Sequence, residues 1–151
     1  MSLTTITICD KMSVTAYKNN KMSLFLSSYE NRIDAKGRVS VPAKFRTAIA
    51  NDDFQGVILY RSPAHNCIEG VSMSHMQKLA NEDNNKFDDL FADAQQMNFD
   101  VTGRIIITPE LKKHANLKNN VLFIGRGNSF QIWNPDNFRK TCNFQPIIQK
   151  K

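Results

Sequence analysis

The sequence predicts a β-rich α+β fold. Two tandem repeats pack about a pseudo-twofold axis into one barrel-like body, with linker helices on its flank. Three observations lead there. The stretch Asp34-Ala35-Lys36-Gly37-Arg38-Val39-Ser40-Val41-Pro42 returns 66 positions later as Asp100-Val101-Thr102-Gly103-Arg104-Ile105-Ile106-Ile107-Thr108-Pro109, with Pro one place further on. Each copy is followed by the same succession of short helix, apolar strand, polar turn and second strand. The chain has 151 residues, so each half alone would be marginal, and the two are expected to share one core.

Met1 to Lys21 is rich in Ser, Thr, Lys and Asn and is expected to be a disordered extension. Met22-Ser23-Leu24 echoes Met1-Ser2-Leu3, and the organised pattern begins there, so Met22 is expected to be the native start. The first repeat is placed at 26–75, a helical linker at 76–93, the second repeat at 94–141 and a tail at 142–151.

Within each repeat, Asp at the first and Gly at the fourth position suit a tight turn, so Asp34–Gly37 and Asp100–Gly103 should each close a hairpin. β-Branched, apolar residues follow each Gly, as a half-buried strand requires. Pro42 and Pro109 suit the first turn of a helix, and Thr108 can cap the second one. Phe45 with Ile49, and Leu111 with Ala115, mark the buried faces of those helices. The apolar runs Val57–Tyr60 and Val121–Ile124 are strands. Each is followed by a turn and another strand, 67–71 and 130–133, and a helix start at Ser72 or Asn134. Gly125-Arg126-Gly127-Asn128 reads as the hairpin turn of the second copy. Between the repeats, Met76, Leu79, Ala80, Phe87, Leu90, Phe91, Ala94 and Met97 recur at helical spacing, so Ser74 to Met97 is read as helix, broken near Asn84-Asn85.

The net charge is +6 and the isoelectric point near 9.3, which favours a polyanionic partner. Its distribution says more. Arg32, Lys36, Arg38, Lys44 and Arg46 face the single acid Asp34, and Arg104, Lys112, Lys113, Lys118 and Arg126 face the single acid Glu110. An acidic stretch from Glu82 to Asp100 separates these two basic blocks. The hairpin tips lift Lys36, Arg38 and Arg104 away from the core, and the Arg fork matches phosphate oxygens or the edge of guanine. These three are the expected DNA contacts, with Arg32, Lys44 and Arg126 as supporting charges. Asp34, Gly37, Asp100 and Gly103 would shape the tips and orient the guanidiniums. Asp34 and Arg38, like Asp100 and Arg104, could equally brace their own hairpin; the two roles are compatible.

Cys9, Cys67 and Cys142 form no C-x-x-C pair, which argues against a disulfide framework or a structural zinc site. His65, Cys67 and His75 fit no zinc spacing, and no metal or cofactor is expected. Trp133 falls on an apolar strand and is expected in the core. Two repeated Asp residues could suggest paired-carboxylate proteolysis, but neither is followed by Thr/Ser-Gly, and an adjacent Arg would hold each ionised. With no Gly-x-Ser-x-Gly elbow and no phosphate loop, catalysis is not expected. No apolar run approaches a membrane span, and no signal-peptide pattern opens the chain.

The segments Tyr29–Arg46, Leu111–Leu117 and Val121–Trp133 resemble, in order and spacing, the two signatures of the MraZ family of bacterial transcription regulators. The resemblance runs from Met22 to Lys140 and departs modestly, with the N-terminal extension and with Thr108 where a second Pro is common. It implies two SpoVT/AbrB-like units with swapped, intertwined hairpins, each unit carrying a D-x-x-x-R motif, here Asp34 with Arg38 and Asp100 with Arg104. It also implies a cytoplasmic, nucleoid-associated regulator that forms ring-shaped homo-oligomers. Such a regulator would bind repeated elements in double-stranded promoter DNA of its own division and cell-wall gene cluster. Two other classes are compatible with the sequence: an AbrB-like antitoxin or protein-interaction module working through the acidic linker, and a non-specific nucleic-acid coat.

Overall fold

The computed structural model describes residues 24–82 and 85–150. The extension at 1–21 and the start expected at Met22 lie outside them. The first repeat contains β1 (Ser28–Arg32), β2 (Arg38–Ser40), α1 (Ala43–Ala48), β3 (Gly56–Arg61), β4 (Ile68–Val71) and α2 (Met73–Ala80). After α3 (Asp88–Asp93), the second contains β5 (Gln95–Asn98), β6 (Arg104–Ile106), α4 (Pro109–Ala115), β7 (Asn120–Gly125), β8 (Phe130–Trp133) and α5 (Pro135–Thr141). A two-residue β9 (Ile148–Gln149) follows.

Seven strands form one mixed sheet in the order β5-β3-β4-β8-β7-β1-β9, and β2 pairs with β6 in a separate ribbon. The order is symmetric about the β4–β8 pair. The first strand of each repeat leaves its own repeat: β1 lies beside β7, from Ser28↔Ile124 to Arg32↔Asn120, and β5 lies beside β3, from Gly56↔Asn98 to Leu59↔Gln95. The ribbon, too, takes one strand from each repeat, Arg38↔Ile106, Val39↔Ile105 and Ser40↔Arg104. The expected swapped hairpins take this form. The expected barrel-like body is a linear strand order with a ribbon laid over it.

The central strands bury both faces, so their apolar residues alternate between two cores. On one side Val57, Leu59, Ile68, Val121, Phe123, Phe130 and Ile132 meet Val39, Val41, Ile105 and Ile107 of the ribbon and Phe45, Ile49, Leu111 and Ala115 of α1 and α4. On the other, Leu122, Ile124, Cys67 and Trp133 pack on Phe138 of α5, and Ile58 and Val71 pack on Met76 of α2. Trp133 is 1% exposed, as expected, and its indole N–H donates to Gln131 Oε1 at 2.8 Å. Phe45 sits in the middle of the first core. Its ring meets Phe25 at 5.4 Å and Tyr29 at 5.5 Å from its own repeat, and Phe130 at 5.3 Å and Phe123 at 6.2 Å from the other.

The structure corrects two local expectations. The linker helix ends at Asp93, and Ala94 and Met97 do not continue it: Gln95–Asn98 is strand β5. An i, i+3 spacing of apolar residues in so short a segment fits either element, and pairing with the edge of β3 decides it. Asp93 also accepts from Arg61 of β3, Nη2 to Oδ1 at 2.6 Å, which anchors α3 to that strand. Pro42 stands at the N-cap of α1 rather than in its first turn, whereas Pro109 does open α4, with Thr108 Oγ1 accepting from Leu111 N–H. Within the tail, β9 adds a parallel edge strand to β1.

Candidate nucleic-acid interface

The two Asp-x-x-Gly-Arg segments fold into nearly identical tips. In the first, Asp34 N–H donates to Arg38 O at 3.0 Å, and Gly37 N–H donates to Asp34 O at 3.0 Å. Asp34 Oδ1 accepts from the backbone N–H groups of Lys36 (2.9 Å) and Arg38 (2.8 Å), and Oδ2 accepts from Arg38 Nε at 2.7 Å. In the second, Asp100 Oδ1 accepts from Thr102 N–H and Arg104 N–H, each at 2.9 Å, and Oδ2 accepts from Arg104 Nε at 2.8 Å. Asp is required because a short side chain must reach two backbone donors ahead of it and still offer a second oxygen to the Arg.

Gly37 (φ 83°) and Gly103 (φ 81°) are left-handed, the conformation that lets each chain turn back. The space is also closed. A Cβ at Gly37 would lie 2.8 Å from the backbone oxygen of Ile107, and one at Gly103 would lie 2.7 Å from the Arg46 side chain. These approaches reflect the splice between repeats, where Ile107 N–H donates to Gly37 O at 2.8 Å and Val41 N–H donates to Gly103 O at 3.2 Å.

The ribbon places the two guanidiniums on one surface. Val39 and Ile105 point inward at 1% exposure, so Arg38, Ser40, Arg104 and Ile106 share the outward face. Arg38 lies opposite Ile106 and Arg104 opposite Ser40, which makes the two Arg residues diagonal neighbours about 7–8 Å apart at Cα. Their side chains are 34% and 33% exposed. Each Asp binds Nε, and the terminal nitrogens make no hydrogen bond among the described residues. Each fork is therefore aimed by a carboxylate while its tip remains available. The carboxyls of Asp34 and Asp100 are held below the usual range, first by the backbone N–H of the following Arg and also by its guanidinium, against partial desolvation. Both stay ionised at neutral pH.

Lys36 is exposed at the first tip, and Thr102 stands in its place at the second, where Thr102 Oγ1 donates to Asp100 Oδ1 at 2.9 Å. Lys44 is exposed on the first turn of α1. Two expected supporting charges lie elsewhere. Arg32 alternates to the face of β1 opposite Tyr29 and Ile33, away from the core beneath the ribbon. Arg126 sits in the β7–β8 turn beside Phe25, at the far end of β1 from Asp34, and donates through Nε to Gln131 Oε1 at 3.0 Å. One contributor is nearly silent in the sequence. Arg46 donates to Val41 O at 3.1 Å and lies over Gly103, bringing a third guanidinium to the second tip. In the sequence it is one member of the first basic block, with no motif to single it out.

The residues weighed for a metal do not converge. His65 lies tilted against Trp133, ring centroids 5.6 Å apart, Cys67 is buried on the α5 side of the sheet with its thiol pushed up to about 12 by desolvation, and His75 lies in the first turn of α2. Among the described residues, no group of three His, Cys, Asp or Glu could hold a metal ion, and no helix is long and apolar enough to cross a membrane.

Comparison with known proteins gives a consistent result. The family model described as "MraZ protein, putative antitoxin-like" matches twice, over residues 24–89 and 90–144, so each match takes in one tip. The protein named Transcriptional regulator MraZ from Rickettsia rickettsii (strain Sheila Smith) is 42% identical over 141 residues, covering 86% of this chain and 95% of that one. Its namesake from Rickettsia akari (strain Hartford) is 41% identical over 129 residues, 79% of this chain and 87% of that one. Two tips, two matches and relatives aligned over most of their length at this level of identity lead to one conclusion: the chain belongs to the MraZ family.

Proposed function

We propose that this protein regulates transcription by sequence-specific binding of double-stranded DNA through the outward face of the β2–β6 ribbon. The observation that carries the reading is the pair of Asp-aimed guanidiniums, Arg38 and Arg104, diagonal on one exposed surface. The major groove of B-form DNA admits a two-stranded ribbon, and Arg forks match both phosphate oxygens and the O6/N7 edge of guanine. Lys36, Lys44 and Arg46 add charge at this end of the molecule; Arg32, on the other face of β1, and Arg126, at its far end, stand off the ribbon face and are given at most a supporting role. Relatives named transcriptional regulators support the role.

The finer reading is that the protein acts in the cytoplasm, on the nucleoid, and recognises repeated elements in the promoter of its own division and cell-wall gene cluster. It would do so as a ring-shaped homo-oligomer, so that several ribbons engage several repeats and avidity multiplies modest single contacts. Near the β9 edge, Leu26, Phe144 and Ile147 are 61%, 72% and 82% exposed, an apolar surface suited to subunit contacts. The test is titration of labelled DNA from directly upstream of this protein's gene, at two salt concentrations and against unrelated DNA. Arg38→Ala and Arg104→Ala should each weaken binding while the fold, read by circular dichroism, is retained. Folded variants that bind as well as wild type refute the site. Binding insensitive to salt favours the antitoxin-like, protein-interaction alternative, and equal binding to unrelated DNA favours a non-specific coat.

A further inference from the structure

We infer that Ile106 reads thymine methyl groups in the bound duplex, and that this makes the two ends of the ribbon chemically unequal. The inference rests on the DNA-binding reading above and adds a specificity-determining residue to it. Ile106 is 57% exposed, while Ile105 and Ile107 on either side are 1% and 2% exposed. The core therefore does not need it. Nor does the strand, because the position equivalent to Ile106 in the other repeat is Ser40, which pairs in the same ribbon with the same register. Single apolar residues are common on protein surfaces, so exposure alone means little. Placement is what distinguishes this one.

Ile106 lies directly opposite Arg38, on the face that also carries Arg104, and its Cγ2 is 3.8 Å from where a Cβ of Gly37 would be. It is thus set beside the first tip, between two aimed guanidiniums. The major groove presents one apolar group, the thymine C5 methyl, and apolar side chains meet it by contact. At the Arg104 end the corresponding side chain is Ser40, which can hydrogen-bond to any base edge and discriminates little. Across the ribbon, one fork thus faces an apolar partner and the other a hydroxyl, while Val101 stands further out at the turn of the second tip. A duplex element satisfying both cannot be palindromic within one chain's footprint, so the protein lies on it in one orientation.

The test uses the DNA directly upstream of the protein's gene, amplified once with dTTP and once with dUTP, which deletes every thymine methyl. Wild-type protein is expected to bind the thymine fragment more tightly, by about four-fold for each methyl that Ile106 covers. Ile106→Ser, which copies Ser40, should bind both fragments equally, at the wild type's affinity for the uracil fragment. Equal wild-type affinity for the two fragments overturns the inference. So does an Ile106→Ser variant that keeps the preference, because the preference then arises elsewhere, from duplex shape or from Val101, fully exposed at the second tip. Absence of salt-dependent binding to either fragment sinks the DNA-binding reading itself.

Discussion

Replacing Asp34 and Asp100 with Asn sets two effects against each other. Each change removes a negative charge from the face proposed to meet DNA. A carboxylate about 7 Å from a phosphate in water is repelled by roughly 0.6 kcal/mol, and screening at 0.1 M salt reduces this to roughly 0.3 kcal/mol. Charge alone therefore predicts slightly tighter binding. The geometry predicts the reverse. Asn retains Oδ1 for the two backbone N–H groups, so the turn survives, but an amide nitrogen cannot accept from the Arg Nε that Oδ2 holds at 2.7 and 2.8 Å. The freed guanidinium regains rotamer freedom, and ordering it again on binding costs about 0.5–1.5 kcal/mol. The net expectation is binding weaker by roughly 0.2–1.2 kcal/mol per tip, about 1.5- to 8-fold, with the two tips adding because they use separate partners. The deficit should grow at 0.3 M salt, where the relieved repulsion is screened and the lost orientation is not. Fluorescence anisotropy with upstream DNA at both salts reads this directly. A folded double variant that binds more tightly than wild type at both salts refutes the claim that these carboxylates aim the forks.

Other outcomes follow from the same structure. Gly37→Ala should cost about 1–2 kcal/mol for the left-handed backbone and more for the collision with the Ile107 oxygen at 2.8 Å, a backbone atom that cannot swing aside. At Gly103 the nearest atoms to an added Cβ belong to the movable Arg46 side chain, so the urea midpoint of Gly103→Ala should fall less. Phe45→Ala removes the ring that joins aromatics of both repeats and should cost about 3–5 kcal/mol by urea denaturation, while Val101→Ala, fully exposed, should cost under about 0.5 kcal/mol. Asp34 and Asp100 have folded pKa values below the ordinary carboxylate range, so their stabilisation is present above about pH 4 and lost as pH falls through the folded values. Below about pH 4, the urea midpoint of the Asn double variant should fall less steeply than that of wild type.

Much of this was legible in the chain itself because local physics governed it. The Asp-x-x-Gly-Arg turn is specified within five residues, by an acid that reaches forward and a Gly that alone tolerates the reversal. The core faces of α1 and α4 were readable from Phe45, Ile49, Leu111 and Ala115. What escaped depends on partners remote in sequence. Ala94 and Met97 fit helix or strand until the edge of β3 decides between them. Arg32 and Arg126 carry the right charge, and only the alternation along β1 and the bridge from Phe25 to Gly127 place them off the ribbon face. The diagonal meeting of Arg38 with Arg104 required knowing that β2 pairs with β6, a pairing no turn or periodicity encodes. Arg46 is one cation among several in the sequence, and only the fold lays it over Gly103.

The exchange of first strands has a consequence for how the molecule comes apart. A cut in the acidic stretch between α2 and α3 would yield fragments that each hold the other's missing strand, so the pieces should stay together and melt in a single transition. A chain of half this length would meet the same demand only by lending its strand to a twin.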